Sequence, residues 1–285
     1  MPLPRHLVLV RHGESESNVV NGFGKQDNHE YFTPEFKERT TREWRLSARG
    51  VEESMAAGRW IGRYILASFP SLHDGFDWHV TSPYNRSKET AGHLGLPNAH
   101  WRIDSRVRER DWGDIESISD NDFQARYPDN ARKKRVDPLH WRPPGGESIA
   151  GMVDDRIRGY FEDLEEMHKT WAVDSVCISG HGEYMWGVRL YIESMEHGDW
   201  AAARNDPRQK IHNGQVVHYT REDPESSSLS DVYSWMRSVN PVTDPDSPGE
   251  WSPVPEPRSF TASELLDQAK ATPPLQIPGM QSLTT

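Results

Sequence analysis

The sequence predicts an α/β fold: a three-layer sandwich in which a mostly parallel central sheet is covered by helices on both faces. Short apolar runs such as 7–10 and 174–178 have the length and composition of buried strands. Longer segments with helical character, of which 48–69 is the clearest, lie between such runs. Strands that alternate with long helices form parallel sheets covered on both faces. Hydrophobic residues make up 34% of the 285, which is enough to form a real core.

The predicted elements alternate along the chain as far as residue 239. Ser47 has the side chain of a helix N-cap and precedes the segment 48–69. Pro83 fits the first turn of the helix that follows the second strand. The predicted strands are 7–10, 78–81, 101–104, 174–178, 215–219 and 232–239, and the predicted helices are 48–69, 85–94, 148–171, 184–195 and 262–269.

Two regions interrupt this alternation. The segment 19–45 is polar but carries scattered aromatic side chains, which is typical of a lid or binding loop. The region from residue 240 onward holds nine of the 21 prolines and reads as an extended tail. We therefore predict one folded domain over 1–239, with an inserted loop at 19–45, and a proline-rich acidic C-terminal tail over 240–285.

Composition excludes several classes of protein. A net charge of −11 argues against a general nucleic-acid surface, although the stretch 126–142 is basic and fits an anion-binding patch as well as a solvated helix end. No apolar stretch has membrane-spanning length, and no secretory segment is recognisable. Cys177 is the single cysteine, so we expect a buried core thiol and no disulfide. We expect a cytoplasmic protein with no nucleic-acid or membrane partner; its oligomeric state is not predicted.

Two predicted strands are followed by similar short motifs. Arg11-His12-Gly13 comes after the strand 7–10, and a Gly-His-Gly run centred on His181 comes after 174–178. In an open α/β sheet, ligands bind beyond the carboxyl ends of the strands. One histidine at a strand end is usually structural, whereas two in matching positions, each followed by glycine, favour a functional site.

A third strand end adds a second arginine. Arg86 lies at the start of the helix predicted after the strand 78–81, where helix N-termini favour anions. A guanidinium matches phosphate and sulfate oxygens bidentately. Two arginines, two histidines and a helix start therefore predict a phosphate or sulfate site, although Arg86 alone is read more simply as a surface arginine.

Four motifs, in this order, resemble the histidine phosphatase superfamily, which includes cofactor-dependent phosphoglycerate mutases and the fructose-2,6-bisphosphatase domain. The resemblance spans about residues 5–239, and RPPGGES at 142–148 adds to it. One motif alone is a weak indication, whereas four in order on strand–loop–helix contexts are strong. The motifs are RHGESESN at 11–18, SPYNRSKETA at 82–91, RERDWG at 108–113 and GHGEYMWGVR at 180–189.

The resemblance implies a role for each residue. His12 is the nucleophile, which takes the phosphoryl group as phosphohistidine and passes it to water. Arg11, Arg86 and His181 are the further catalytic groups and surround the phosphoryl oxygens. The implied phosphate-binding residues are Arg11, Gly13, Ser15, Asn18, Arg86, His181 and Gly182.

Glu109 matches the family's acid, which protonates the leaving oxygen and later activates water. For that role we expect its pKa to be raised by burial or by a neighbouring carboxylate. Asp111 and Asp114 stay open as alternative acids. We also expect a backbone carbonyl to hold the tautomer of His12.

No metal and no cofactor is expected at this site. His12 and His181 could in principle bind zinc, but two arginines in the same pocket would repel a cation. We interpret the remaining histidines, His29, His73 and His79 among them, as surface groups without ligand spacing.

These observations together predict a metal-independent phosphomonoesterase, a histidine acid-type phosphatase acting on a small phosphorylated substrate. A phosphoglycerate-type mutase is the first alternative, and a non-catalytic phospho-ligand or protein-binding module is the second. The substrate stays open because 19–45 is long for a simple mutase and Gly180 stands where relatives often carry serine. Lys133, Lys134 and Arg135 are only candidates for a second anion-binding group.

Overall fold

The structure is a computed structural model that describes residues 2–26, 28 and 30–273. His29, for which we predicted a surface position, lies outside these residues. The described chain forms a seven-stranded sheet with the order β3-β2-β4-β1-β5-β6-β7. Its strands are β1 His6–Arg11, β2 Trp78–Thr81, β3 Trp101–Ile103, β4 Ser175–Gly180, β5 Val216–Thr220, β6 Trp235–Val239 and β7 Ser252–Pro253.

Helices fill most of the intervals between the strands. The α-helices are α1 Glu16–Gly24, α2 Pro34–Glu38, α3 Ala48–Ile61, α4 Asn85–His93, α5 Asp120–Arg126, α6 Pro128–Val136, α7 Ile149–Met152, α8 Arg158–Trp171, α9 Gly182–Ile192, α10 His197–Asn205 and α11 Ala262–Lys270. Single π-turns occupy Gly62–Leu66 and Val153–Ile157, and 3₁₀ turns occupy Pro70–Leu72, Ser105–Val107, Gly113–Ile115 and Pro207–Gln209.

The predicted fold class is confirmed. The strands β1, β2, β3 and β4 are mutually parallel. β5 pairs antiparallel with β1, and β6 and β7 continue in antiparallel pairing. Five of the seven described strands therefore point the same way, which makes the sheet mixed but mostly parallel.

β1 shows why the sheet must be covered on both faces. Leu7 and Leu9 point into one buried cluster, which contains residues of α8 and α9. Val8 and Val10 point into a second cluster, formed with α3 and the end of α4. Because successive side chains of a strand alternate between faces, an uninterrupted apolar run requires a core on each side.

The two long predicted helices are present, each with a π-turn. Ser47 caps α3 as predicted, its hydroxyl accepting a hydrogen bond from the Gly50 amide at 3.1 Å. The π-turn Gly62–Leu66 then continues α3. The predicted helix 148–171 is built from α7, the π-turn Val153–Ile157 and α8.

The segment 19–45 differs from the expected loop, because α1 and α2 lie largely within it. Its aromatic side chains pack on one another rather than being scattered: the rings of Phe36 and Trp44 stack with centroids 4.9 Å apart. Both of these side chains are buried, together with Val20. The aromatic residues thus form a small core that gives the segment a defined structure.

Residues 240–255, which the sequence analysis assigns to the tail, pack against the domain. The Trp60 indole donates a hydrogen bond to the Ser247 carbonyl at 2.7 Å, and Arg237 donates one to the Pro248 carbonyl at 2.8 Å. The Trp251 ring lies 5.1 Å from that of His218. One compact unit accordingly extends from Met1 to Pro255.

The second unit comprises Glu256–Thr285, of which residues 256–273 are described. It contains α11, close to the predicted helix 262–269. Thr261 and Glu264 form a reciprocal capping box at the start of this helix. No helix within the described residues is both long and apolar enough to cross a membrane.

Two sequence-based expectations about single residues have opposite outcomes. Cys177 is fully buried in β4 as predicted, and burial raises the pKa of its thiol. The prediction that His79 lies at the surface is wrong: it is 2% exposed in β2, packed against the rings of Phe76 and Trp101. Burial lowers the pKa of His79 to about 4, so its imidazole is neutral.

A close backbone contact between the chain after β1 and the start of α3 yields the first prediction. A Cβ added at Gly50 would lie 2.0 Å from the Glu14 carbonyl oxygen, whereas one at Gly159, inside α8, meets nothing within 4 Å. We expect Gly50→Ala to lower the free energy of unfolding by about 1–3 kcal/mol or more, because backbone must move. Gly159→Ala should raise it by about 0.4–1 kcal/mol.

Urea unfolding monitored by circular dichroism measures both variants in the same buffer. Equal stability of Gly50→Ala and the wild type would contradict the close approach.

Candidate active site

The three strands whose ends carry the motifs are neighbours in the sheet. β4 lies between β2 and β1, with Thr81 beside Ser179 and Gly180 beside Arg11. The strands therefore end at nearly the same level, and the residues that follow them meet above the sheet edge. The rings of His12 and His181 have their centroids 5.1 Å apart.

His12 is held in one tautomer. Its Nδ1 donates a hydrogen bond to the Gly13 carbonyl at 2.7 Å, as expected for a backbone partner. Its Nε2 then carries the lone pair and accepts a hydrogen bond from the Nε of Arg86 at 3.2 Å. Burial, and then the charges of Arg86 and Arg11, hold the pKa of His12 well below its usual value. The imidazole is thus neutral with an available lone pair, as nucleophilic attack requires.

Gly13 has a structural reason to be glycine that the sequence did not reveal. Its backbone does not adopt a positive φ. A Cβ at this position would instead lie 2.0 Å from the Gly50 carbonyl oxygen of α3. Gly13 thus allows α3 to approach β1 closely, rather than supplying a flexible turn around the anion.

Arg86 is positioned by the segment that we expected to be a loop. The Thr41 carbonyl accepts a hydrogen bond from Arg86 Nη1 at 2.6 Å. The Arg42 carbonyl accepts another from the Asn85 amide at 2.9 Å. The Glu89 carboxylate of α4 accepts hydrogen bonds from Arg45 Nε and from the Leu46 amide. Residues 41–46 are therefore bound along α4. They hold the guanidinium of Arg86 next to His12.

Two polar groups beside His12 are buried without a partner among the described residues. Arg11 donates from Nη1 to the Ile211 carbonyl at 2.8 Å, but its buried Nε is unpaired. His181 pairs through Nε2 with the Ser82 hydroxyl at 2.8 Å, and its Nδ1 is unpaired. Burying unpaired polar groups is costly, so this arrangement favours an anionic ligand that supplies the missing acceptors.

Gly182 and Ser15 have supporting positions. A Cβ at Gly182 would lie 3.3 Å from Arg11 Nε, so glycine leaves room for that guanidinium. Ser15, a predicted phosphate-binding residue, does not line the cavity described below. Its hydroxyl instead caps α1 and bonds with the side chains of Ser17 and Asn18. Asn18 and Ser17 line the cavity in its place.

Asn213 joins this group, although sequence reasoning missed it. Its Nδ2 donates to the His12 carbonyl and to Asn18 Oδ1, each at 3.0 Å. It lies just before the antiparallel strand β5, whose start is beside the end of β1. The Asn-Gly pair at 213–214 was the available signal of a turn, but only the antiparallel pairing places it at the site.

The carboxylate of Glu109 lies against the N-terminus of α9. Its Oε1 accepts hydrogen bonds from the amides of Arg110, Glu183 and Tyr184 at 3.0, 3.1 and 3.3 Å. Burial, and then the nearby Glu183 carboxylate, raise the pKa of Glu109, against the opposing effect of Arg86 and the amide of Arg110. Among the described residues, no hydrogen bond ends on Oε2, which leaves that oxygen to carry a proton.

The alternative acids are less well placed. Asp111 and Asp114 are exposed and do not line the cavity, whereas Glu109 does. The Asp111 carboxylate accepts a hydrogen bond from the Gly113 amide at 2.9 Å. Glu116 lines the cavity as well, and burial raises its pKa, against a hydrogen bond from Thr41.

The site opens into a cavity of about 270 Å³. Its inner end is formed by the side chains of Arg11, His12 and Arg86. Beyond these residues and Glu109, the lining includes aromatic and aliphatic side chains, with two lysines and two carboxylates, of which Glu116 lies near Arg86. This outer lining comprises Phe32, Trp44, Trp112, Ile115, Ile118 and Phe123, with Lys25, Lys134, Glu116 and Asp120.

Lys134 is the member of the basic stretch that reaches the cavity. Its Nζ lies 5.6, 5.3 and 5.3 Å from the ring centroids of Trp112, Phe123 and Trp141. Burial lowers its pKa, and the described residues place no carboxylate within ion-pair distance of it. Lys133 and Arg135 are exposed and do not line the cavity.

The family follows from the sequence match that covers this arrangement. The sequence model of the histidine phosphatase superfamily, branch 1, matches residues 7–231, most of the chain. The chain belongs to the histidine phosphatase superfamily. The predicted family is thereby confirmed, and the matched residues include His12, Arg86, Glu109 and His181.

Individual relatives of this superfamily are distant. A 2,3-bisphosphoglycerate-dependent phosphoglycerate mutase of Methylobacterium radiotolerans is 28% identical over 201 residues, which cover 68% of this chain and 81% of that one. A mycobacterial glucosyl-3-phosphoglycerate phosphatase has a similar fold, with a TM-score of 0.57 and 22% identity. The match covers 76% of this chain and 92% of that one. A putative alpha-ribazole-5'-P phosphatase from Escherichia coli has a TM-score of 0.57 and 17% identity, and the match covers 81% of this chain and 97% of that one.

Proposed function

We propose that the protein hydrolyses a phosphomonoester without a metal, through a phosphohistidine formed on His12. The observation that carries this proposal is the neutral imidazole whose Nδ1 is bound by the Gly13 carbonyl and whose Nε2 lone pair faces the guanidinium of Arg86. A nucleophile that is uncharged, fixed in tautomer and surrounded by cations suits attack on an anionic phosphate ester.

The first half-reaction transfers the phosphoryl group to the enzyme. Arg11 and Arg86 bind its oxygens, and the unpaired Nδ1 of His181 donates to them. Arg86 Nε then donates its hydrogen bond to a substrate oxygen instead of to His12. This frees the lone pair on His12 Nε2. His12 Nε2 forms a bond to phosphorus as the ester P–O bond breaks. Glu109 gives its proton to the leaving oxygen, so the alcohol departs neutral and a carboxylate is left.

The second half-reaction regenerates the enzyme. The Glu109 carboxylate takes a proton from water while the water oxygen bonds to phosphorus. The P–N bond breaks, its electron pair returns to His12 Nε2, and inorganic phosphate is released. The same atoms therefore act in both directions of proton transfer, and Glu109 ends protonated for the next cycle.

The outer cavity indicates the kind of substrate. Its aromatic and aliphatic lining favours an organic group with an apolar face, and Lys134 favours a second negative charge on that group. The alternative is a mutase, since one relative is named a 2,3-bisphosphoglycerate-dependent phosphoglycerate mutase. Lys133 and Arg135 do not line the cavity, which weighs against the mutase alternative. Lys134 is then the residue that the basic stretch contributes to a second anion site.

The nucleophile is tested by turnover and labelling in the presence of EDTA. We expect the wild type to release phosphate from p-nitrophenyl phosphate and to carry an acid-labile phosphoryl label. His12→Ala should lose turnover on the order of 10⁴-fold and lose the label, because no other group is aligned for attack.

Other outcomes of this experiment would replace the proposal. Isomerisation of 3-phosphoglycerate in the presence of its bisphosphate would identify a mutase. Phosphate binding with no turnover of a panel of phosphomonoesters would identify a binding module. Label that persists in His12→Ala would reject His12 as the nucleophile.

Glu109→Gln tests the acid. An alkyl phosphate needs a proton on its leaving oxygen, whereas p-nitrophenolate leaves without one. We therefore expect the variant to lose about 10²–10⁴-fold in kcat/KM with an alkyl phosphate, and much less with p-nitrophenyl phosphate. Asp111→Asn, at an exposed neighbouring carboxylate, is the matched control and should change neither value appreciably.

The pH profile with the alkyl substrate provides a second readout. Activity should fall as pH rises through the raised pKa of Glu109, because the acid must hold a proton when substrate binds. This limb of the profile should disappear in Glu109→Gln. A limb that persists would assign the titrating group to another residue.

Lys134→Met tests the second anion site. We expect KM for 3-phosphoglycerate, which carries a carboxylate besides its phosphate, to rise about tenfold or more, as for a lost hydrogen bond to a charged group. The kcat should change little, and p-nitrophenyl phosphate should be turned over as before. Lys133→Met is the matched control, and an equal effect there would reject a specific role for Lys134.

A further inference from the structure

Three potential metal ligands meet at a place that the catalytic scheme does not use. The Asp137 carboxylate oxygen Oδ1 lies 3.1 Å from His140 Nδ1 and 3.3 Å from His197 Nε2. The three ligand atoms lie within 4.8 Å of one another. None of these residues lines the cavity that contains His12.

These distances suit ligands of a single small cation. Zinc binds imidazole nitrogen and carboxylate oxygen at about 2.0–2.2 Å, so two tetrahedral ligand atoms stand about 3.3–3.5 Å apart. The distances from Asp137 Oδ1 to the two histidine nitrogens, 3.1 and 3.3 Å, differ from that spacing by at most about 0.4 Å. The two histidine nitrogens lie within 4.8 Å of each other, and side-chain rotation would bring them closer around an ion.

The backbone around Asp137 and His140 is already organised. Asp137 follows α6, and its Oδ1 accepts a hydrogen bond from the His140 amide at 3.1 Å. The Trp141 amide donates to the Asp137 carbonyl at 2.9 Å. Leu139 and Trp141, on either side of His140, are 4% and 5% exposed and so anchor the turn. The pair of ligands is thus presented by a fixed turn.

The third ligand comes from a separate element. His197 is the first residue of α10, and this helix is anchored by Trp200, which is 1% exposed. The rings of His140 and His197 are 5.5 Å apart and nearly perpendicular. Both side chains are about half exposed, which leaves an entry path and room for water as a further ligand.

We propose that Asp137, His140 and His197 bind one divalent transition-metal ion of the zinc type, through Oδ1, Nδ1 and Nε2 respectively. Two imidazoles and one carboxylate favour zinc and its neighbours over magnesium or calcium, which prefer all-oxygen sites. Asp137 Oδ1 accepts a hydrogen bond from His140 Nδ1 at 3.1 Å and lies 3.3 Å from His197 Nε2. Coordination through His140 Nδ1 and His197 Nε2 requires that any ring proton lies on the other nitrogen of each imidazole.

The site would join α6 to α10. Lys134 lies on α6, three residues before Asp137, and reaches the substrate cavity. A bound ion therefore stabilises the element that carries this side chain without contacting the reacting atoms. The proposal rests on the ligand geometry alone and does not require the proposed phosphatase reaction.

The test uses the full chain after dialysis against EDTA. Calorimetric titration with zinc chloride should give one ion per chain, and cobalt(II) should give the visible absorption of a tetrahedral nitrogen–oxygen site. His140→Ala and His197→Ala should each weaken zinc binding by about 100-fold or more, because even outer-shell substitutions cost about 10–100-fold. His73→Ala, at an exposed histidine outside the cluster, should bind as the wild type does.

Further measurements keep the result decisive. Asp137→Asn keeps an oxygen for the turn but removes the charge, so it should weaken zinc binding while circular dichroism is unchanged. Absence of one-to-one binding, or unchanged affinity in both His140→Ala and His197→Ala, would overturn the proposal. Binding that is lost only in His12→Ala would assign the ion to the catalytic histidines and overturn it equally.

Discussion

The rest of this molecule depends on one constraint: three neighbouring parallel strands end at nearly the same height in the sheet. β1, β2 and β4 are neighbours, and their register brings Arg11, Ser82 and His181 to one edge of the sheet. β1 keeps that register because its side chains are buried in a separate core on each face. A slip by one residue would move each side chain into the core on the opposite face, so the separate packing of the leucines and the valines of β1 holds the geometry of the site.

The same edge concentrates positive charge in a buried place. Arg11 and Arg86 have no carboxylate partner within ion-pair distance among the described residues. Burial, and then the charges of these arginines, hold the pKa of His12 and of His181 well below the usual value. In the proposed function, the phosphate group of the substrate would supply the missing negative charge and the missing hydrogen-bond acceptors. Electrostatic preorganisation of this kind is a large part of catalysis at a phosphoryl group, because the protein dipoles need not reorganise during the reaction.

The outer cavity is assembled from segments distant in the chain, which explains why its lining was hard to foresee. The 19–45 segment supplies aromatic side chains and the Thr41 carbonyl, and the region of α5 and α6 supplies the opposite wall. The small aromatic core of Phe36 and Trp44 gives the first segment a defined shape. One wall of the outer cavity and the support of Arg86 therefore share one structural element.

The sequence by itself determined the family and the fold class and predicted six of the described strands, the longest helices and the candidate site residues, because apolar periodicity and short motifs are local properties of the chain. It did not determine the burial of His79, the structural reason for Gly13, or the helices within 19–45. Only the tertiary structure decided these, since they depend on which backbone and side chains approach from far along the chain. The same holds for the long-range partners, namely Thr41 for Arg86, Asn213 for His12 and His197 for Asp137.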